Sequence, residues 1–475
     1  MYNFYFSHNK NTLPFILIGI FIHLIASYFS IGYYNSDEHY QIIGPLEKLL
    51  NIENKLTWEF DSQIRPWLQP YFYFFIIKSI SFLEIKNPFI LLFILRTISS
   101  LIGFLSIIFL YNHFKNKFNL NNNFSKILIF SFWFYAFIHA RTSSENLSIS
   151  MLIFGVVIFD KLFSIENKNN NLILSLCSGL FFGLSMVLKY QMIISVFFVY
   201  LWFLFHRLNL ENVKYVLISG IIILLVLIFG LFIDYFGYGQ INNTYFEYYY
   251  ANFVKKWFVH FGNFPFWYYL KLVLINFFPP ISIFIILSFL IFSYKEYKNI
   301  LTYISLPVVI ILSTLSNKEL RFLYPVLILS PFFISYVLSN SNIFFGKIIL
   351  ANIIIFFNFL FMIILFIPAT EEVKIYEYLY YNNQDKVNFY YYGDYPYKMD
   401  DLEPSIYTSS LPKLMEYKEN SDLSNSLIVI RKRSFFEKLV KKNRCDKAFS
   451  VYPDIVDMNP NWREREFNWY IVSCQ

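Results

Sequence analysis

Asp37 and Glu38 stand side by side within Gly32–Pro70, a stretch that also holds Glu47, Glu53, Glu59 and Asp61 in a chain only 15% charged. A carboxylate within hydrogen-bond reach of a hydroxyl can remove its proton as the oxygen attacks a sugar carbon, the work of a general base. Neighbouring residues in one loop point in different directions, so one of the two is enough for that task. The bland alternative is a pair of solvated acids, and His39 beside them leaves a metal-binding trio open, although no second ligand cluster accompanies it. The same stretch carries Thr57-Trp58-Glu59-Phe60 and Arg65-Pro66-Trp67. These read either as interfacial anchors or as the wall of a sugar pocket, with Arg65 adding positive charge.

Three further cations invite the chemistry of a phosphate leaving group: Lys189, Lys318 and Arg321. A lipid-phosphate donor needs positive charge near its phosphate, both to bind it and to stabilise it as it departs. Snorkelling of the long side chains and pairing with Glu319 are the alternatives. Polar residues also gather at Arg141-Thr142-Ser143-Ser144-Glu145-Asn146 and Lys189-Tyr190-Gln191. The segment from His260 to Leu270 reads as a Gly–Pro turn into an aromatic helix start, which would also suit a lid over a lipid groove.

The elements that must hold these residues are apolar. The 475-residue chain is 57% hydrophobic and 22% aromatic, with a mean hydropathy of +0.46. Apolar runs fall at 13–31, 70–85, 88–111, 124–140, 145–162, 171–188, 190–206, 213–234, 265–293, 299–315, 322–339 and 344–367. Runs of about 17–25 apolar residues are long enough to span a bilayer. Pro279-Pro280 should break the run at 265–293. If the N-terminus is cytoplasmic and 70–85 lies in the outer leaflet without crossing, the short lysine-rich connections all fall on one side, as the positive-inside rule requires. The expectation is an all-α polytopic membrane protein of about 11 spans with its C-terminus outside. This topology collects the unusual polar stretches on the outer face.

Residues 371–475 are mixed, charged and rich in tyrosine, and are expected to form a small soluble α/β domain outside the membrane. Ser426–Ile430 reads as a buried strand and Ser434–Lys442 as a helix. Cys445 and Cys474 would share an oxidising compartment, where a disulfide is plausible, with two free thiols as the alternative. Cys177 reads as packing. The net charge of +7 follows the span flanks rather than a basic stripe, so no nucleic-acid partner is expected. The run at 13–31 lacks a small-residue cleavage site and reads as a retained span.

Four motifs in order give the chain a resemblance to the Alg9-like mannosyltransferases, glycosyltransferase family 22 of the GT-C superfamily. Ser36-Asp37-Glu38-His39-Tyr40-Gln41 resembles the family's His-Pro-Asp-Glu-X-X-Gln. Thr57-Trp58-Glu59-Phe60 with Ile64-Arg65-Pro66 and Pro70 resembles its Thr-Trp-Glu segment, and Arg141 to Asn146 its Arg-Thr-X-Ser-Asn. Asn317-Lys318-Glu319-Leu320-Arg321-Phe322-Leu323-Tyr324-Pro325 is similar to its His-Lys-Glu-X-Arg-Phe-(Leu/Ile)-Tyr-Pro. Asp234 to Gly239 and Gly262 to Tyr269 also match, so the resemblance covers residues 12–367. Asn35-Ser36, Asn317 and Pro66 depart from the family pattern, which bears on acceptor and donor-sugar identity.

The resemblance implies a GT-C transmembrane domain over 1–370, with 32–70 as its first outer catalytic loop; 371–475, read from composition as a soluble domain, lies outside it. It implies inverting transfer of mannose from a polyprenyl-phosphate-mannose donor to a hydroxyl of a glycolipid or lipid-linked glycan. Asp37 is the implied base, with Glu38 beside it. Arg65, Lys189, Lys318 and Arg321 are expected on the donor phosphate. His39, Trp58, Glu59, Arg141, Tyr190, Gln191, His260 and Glu319 are expected around the substrates. Phosphate leaves as a stabilised anion, so no cofactor or metal is obligatory, and a divalent ion is left open. The compact loops suggest a bacterial inner membrane with the catalytic face periplasmic, or the endoplasmic reticulum membrane for a eukaryotic source. The rivals are another polyprenyl-phosphate sugar as donor, a lipid-linked-sugar transporter, and a non-catalytic scaffold.

Overall fold

The computed structural model describes residues 12–52, 55–163, 170–257, 259, 262–340, 346–382, 388–397, 405–419, 421–442, 445–453 and 468–474. The chain divides into two compact units. The larger takes Met1–Tyr28, Leu56–Tyr73 and Leu95–Phe366; the smaller takes Phe29–Lys55, Phe74–Ile94 and Ile367–Gln475.

The larger unit is helical because its apolar sequence leaves the backbone no other partner: inside a bilayer each N–H and C=O must be satisfied within its own segment. Four described helices are long and apolar enough to cross a membrane: Pro88–Phe114, Asn171–Leu188, Leu210–Tyr238 and Gly346–Phe366. The bent pair Leu320–Leu327 and Ser330–Asn340, at 44°, makes a fifth if it is one span. Shorter apolar helices at Leu13–Phe29, Met192–His206, Tyr268–Phe277, Ile281–Lys295 and Ile300–Thr314 fall below that length. The break between the third and fourth of these short helices falls at Pro279-Pro280, where the two prolines predict it.

Helix Leu210–Tyr238 shows how one sequence serves two environments. Leu217, Ile221, Leu224, Ile228 and Phe232 recur every three or four residues and are exposed, a stripe suited to acyl chains. Its opposite face buries Ser219, Val226, Gly230 and Asp234. Gly179 and Gly183 on Asn171–Leu188 let the two helices approach: a Cβ at Gly179 would lie 2.5 Å from the Ser219 carbonyl oxygen. Small residues four apart are the usual device for such contacts in membranes.

The run at 124–140, expected as a single span, is instead two helices, Asn123–Phe130 and Trp133–His139. Asn358 makes the break tolerable. Its Oδ1 accepts from the Trp133 N–H at 3.0 Å and its Nδ2 donates to the Ser131 carbonyl at 2.9 Å, satisfying the two groups that the break releases.

In the smaller unit, part of the stretch expected as an outer loop at 32–70 is helical. Residues 36–49 form one continuous helix: Ser36–Glu38 in α form, His39–Ile43 as a π turn, and Gly44–Leu49 in α form. Asn35 caps it, its Oδ1 accepting from the Asp37 N–H at 3.0 Å, and the acids of the first turn sit at the positive end of the helix dipole. The chain enters through Gly32 at φ +90, where the Thr370 hydroxyl accepts from the Tyr33 N–H and donates to the Tyr33 carbonyl, each at 2.9 Å. At the other end, buried Glu47 accepts from the Ile406 N–H at 2.7 Å.

Five strands complete this unit: β1 Asn388–Tyr392, β2 Met415–Glu416, β3 Ser426–Ile430, β4 Cys445–Ser450 and β5 Tyr470–Cys474, in the order β2-β1-β3-β5-β4. β1, β2 and β3 run parallel, and β5 is antiparallel to both β3 and β4. Strand Ser426–Ile430 is buried along its whole length, as its sequence predicts. Helix Arg433–Lys442 lays Phe435, Phe436 and Leu439 on the sheet. Cys445 and Cys474 are bonded to each other across β4 and β5.

Candidate active site

In the smaller unit, the capped helix start fixes the backbone of Asp37, whose side chain is half-buried. Glu38 points inward, is buried, and accepts from the Tyr34 N–H at 3.2 Å. The two adjacent acids therefore have different environments, and Asp37 is the more accessible. His39 is buried in the π turn against the Tyr33 ring, 5.1 Å between centroids. Its Nδ1 and the Gln41 Nε2 are buried polar atoms without a protein partner. Single π turns of this kind recur at functional sites.

Burial pushes the His39 imidazole down from 6.5 to about 4. Below pH 6.5 the unfolded chain therefore takes up a proton that the folded chain refuses until about pH 4. Stability is expected to fall across that window, by at most about 3 kcal/mol, and to be independent of this group above it. Chemical denaturation at pH 7 and pH 5 checks this, and His39→Gln should remove most of the slope.

The other polar stretches meet in the larger unit. Arg65 pairs with Glu59, and its guanidinium lies 6.0 Å from the centre of the Tyr248 ring. Tyr248 also hydrogen-bonds Gln191 and stands within electrostatic reach of Glu59 and Glu145. Tyr190 packs its ring 5.0 Å from that of Tyr248. Lys189 donates to Glu145 at 2.7 Å, both buried, and Arg321 reaches the same glutamate electrostatically while pairing with Glu319 at 2.6 Å. Arg65, Lys189 and Arg321 thus converge on Tyr248 and Glu145, each with a carboxylate partner. Lys318 is different: its ammonium is held by the carbonyls of Phe264 and Leu315, and burial lowers its pKa from the ordinary lysine value. These neutral carbonyls leave its charge uncompensated.

Local sequence explains how the cluster is held. Asp234 uses both carboxylate oxygens, accepting from the Trp67 N–H at 2.7 Å and the Thr244 hydroxyl at 2.6 Å. Gln69 donates to the Thr142 carbonyl at 2.8 Å, and Asn146 to the carbonyls of His139 and Arg141 at 2.7 and 2.9 Å. These bonds tie Arg65 and Glu145 to buried backbone. Arg141 lies over the Phe137 ring at 4.8 Å, and Trp58 packs edge-on against Trp257. Trp67 fills the space over Gly237, where an added Cβ would lie 2.1 Å from the indole. Gly237→Ala is therefore expected to destabilise the protein by about 1–3 kcal/mol, as overpacking does. A melting temperature lower by several degrees in detergent checks it.

His260, expected in the substrate pocket, lies outside the described residues. Sequence reasoning did not single out Glu145, Gln69, Asp234 or Tyr248. Glu145 and Asp234 had a signal, being acids inside or at the end of long apolar runs, where an ionisable group needs a partner. Tyr248 had none, in a segment with tyrosine at nearly every turn. Among the described residues, no group of three or more His, Cys, Asp or Glu side chains is placed to hold a metal ion.

The fold is that of solved GT-C membrane transferases. One is ArnT from Cupriavidus metallidurans bound to undecaprenyl phosphate, at a TM-score of 0.54 and 8% identity, with 98% of each chain covered. Another is the oligosaccharyltransferase AglB from Archaeoglobus fulgidus in complex with an inhibitory peptide and a dolichol-phosphate, at 0.51 and 9% identity, over 84% of this chain and 64% of that one. By fold, the class is thus GT-C. Within it, the chain belongs to the Alg9-like mannosyltransferase family, whose profile matches residues 14–394. GPI mannosyltransferase 3 of Debaryomyces hansenii is 22% identical over 80% of this chain and 69% of its own length. Mannosyltransferase APTG1 of Arabidopsis thaliana is 25% identical over 66% of this chain and 56% of its own. GPI mannosyltransferase 3 of Candida albicans is 24% identical over 65% and 60%. The chain thus spans just over half to two thirds of the length of these relatives. All three are eukaryotic, so the expected bacterial source has no counterpart among them.

Proposed function

We propose that the protein transfers mannose from a polyprenyl-phosphate donor to a hydroxyl of a glycolipid or lipid-linked glycan, with inversion at the sugar carbon. Asp37 takes the proton as the acceptor oxygen attacks C1. The C1–O bond to phosphate breaks, and its electron pair stays on the phosphate oxygen. The donor's phosphodiester carries one negative charge and the released monoester gains another. Cations that are already fixed in place therefore stabilise the departing group more than the bound donor, which is the condition for lowering the barrier. Arg65, Lys189, Lys318 and Arg321 fill that role. The single observation that carries the proposal is the convergence of Arg65, Lys189 and Arg321, from three separate segments, on Tyr248 and Glu145 in the larger unit, with Lys318, from the same motif as Arg321, held by two carbonyls. Glu59, Glu319, Arg141, Trp58, Tyr190, Gln191 and His39 shape the substrate surroundings, with Glu38 supporting the base.

The ligands named with the two solved transferases support a polyprenyl-phosphate donor, and the relatives named GPI mannosyltransferase 3 support a glycolipid acceptor. We place the N-terminus in the cytoplasm, with about 11 crossings, and residues 371–475 outside the membrane. The bond between Cys445 and Cys474 suits an oxidising compartment. The test is purified protein in nanodiscs with labelled polyprenyl-phosphate mannose or glucose and a mixed glycolipid acceptor. Labelled mannolipid is the expected product; a glucolipid alone would reassign the donor, and no labelled glycolipid from either donor would defeat the proposal.

A further inference from the structure

The carboxyl edge of the parallel strands in the smaller unit has the layout of a ligand site. After β1 the chain leaves toward β2; after β3 it leaves the other way, through helix Arg433–Lys442 to β4 beyond β5. Ligands of open sheets containing parallel strands bind where neighbouring connections diverge in this manner. Gly393, at φ +87, opens the turn after β1, and a Cβ there would meet nothing within 4 Å. The residues delivered to this edge come from four strand ends. Asp394 and Tyr395 follow β1 and Arg431 follows β3. Tyr452 follows β4, and Trp469 precedes β5.

Their chemistry narrows the ligand. The Arg431 guanidinium lies 5.3 Å from the centre of the Trp469 ring, and the Trp469 indole N–H is buried without a partner, its residue 2% exposed. Arg431 reaches Asp394 at 3.3 Å through an exposed pair, a contact of little strength that a ligand can replace. The Tyr452 hydroxyl donates to Glu371 at 2.9 Å, and Arg431 stands within electrostatic reach of that carboxylate. The Tyr395 ring is 41% exposed and braced edge-on by Tyr391. Among the described residues here, the Asp394 and Glu371 carboxylates outnumber the Arg431 guanidinium, so the edge does not select a bare anion. Carboxylates that accept, an arginine that donates and a part-exposed aromatic ring together suit a neutral polyhydroxylated ring.

We propose that this edge, around Tyr395, Asp394, Arg431 and Glu371, binds the oligosaccharide portion of the acceptor, a reading that rests on the transferase activity proposed above. Full-length protein in nanodiscs is titrated with mannotetraose and followed by saturation-transfer NMR. Wild-type protein is expected to bind. Tyr395→Ala and Arg431→Gln should each weaken binding about tenfold, the effect of losing one ring contact or one charged hydrogen bond. Tyr395→Phe, which keeps the ring, should bind within about twofold of wild type. Absence of binding by wild type, or binding indifferent to both Tyr395→Ala and Arg431→Gln, overturns the site. Protein that binds mannotetraose in the expected order but transfers no mannose defeats the transferase proposal and leaves the carbohydrate site standing.

Discussion

Asp37→Asn is expected to cut mannose transfer by a factor of about 10²–10⁴, the range that a positioned general base contributes. The amide keeps the side chain's size and cannot take the acceptor's proton. Asn35 caps the helix through the Asp37 backbone N–H, so the substitution leaves that bond in place. Donor affinity and melting temperature should therefore hold while turnover collapses. Glu38→Gln is the informative partner, because buried Glu38 already accepts from the Tyr34 N–H. It should lower stability more than turnover. Near-wild-type transfer by Asp37→Asn, with turnover lost in Glu38→Gln instead, would move the base to the neighbouring acid.

The second large effect concerns Lys189 and Glu145. Both are buried, and they meet at 2.7 Å. Removing one partner of such a pair strands the other charge, at a cost of about 3–5 kcal/mol, whereas removing both restores most of the loss. Lys189→Met and Glu145→Gln should each lower the detergent melting temperature markedly, and the double variant should lie above either single one. Activity separates structure from chemistry. If Lys189 also faces the donor phosphate, the double variant regains stability without regaining donor affinity. Recovery of both would confine Lys189 to a packing role.

Much of the fold could be read from the chain because the strongest signals were local. Pro279-Pro280 ended a helix where two prolines must, and the four consecutive apolar residues after Ser426 marked a strand buried on both faces. The break at Ser131 was invisible because its compensation, Asn358, comes from more than 220 residues away. The helix within 32–70 went unread although Asn-Ser-Asp-Glu is a helix start. Its acid content drew attention to solvent rather than to capping. Of the candidate site, the cations were recognisable as charges out of place against apolar runs. Of their carboxylate partners, Glu59 and Glu319 were named and Glu145 was not, since its pairing depends on which helices become neighbours. Arg65 with Glu59 and Arg321 with Glu319 lie close in sequence, yet Lys189 with Glu145 requires two helices to be packed together.

The π turn at His39–Ile43 has a consequence for phase. It accommodates one residue more than an α turn, so residues before it are rotated by about 100° relative to an unbroken helix through Gly44–Leu49. The helix is held at its far end by Glu47 and the Ile406 N–H, so that angle is expressed at Asp37 rather than absorbed by sliding. Deleting any one residue from 39–43 would keep every charge in this segment except the one removed and yet swing Asp37 round the axis by more than a quarter turn. A single-residue gap at this point in a related chain would therefore mark a different aim of the carboxylate, even where the Asp-Glu pair itself is retained.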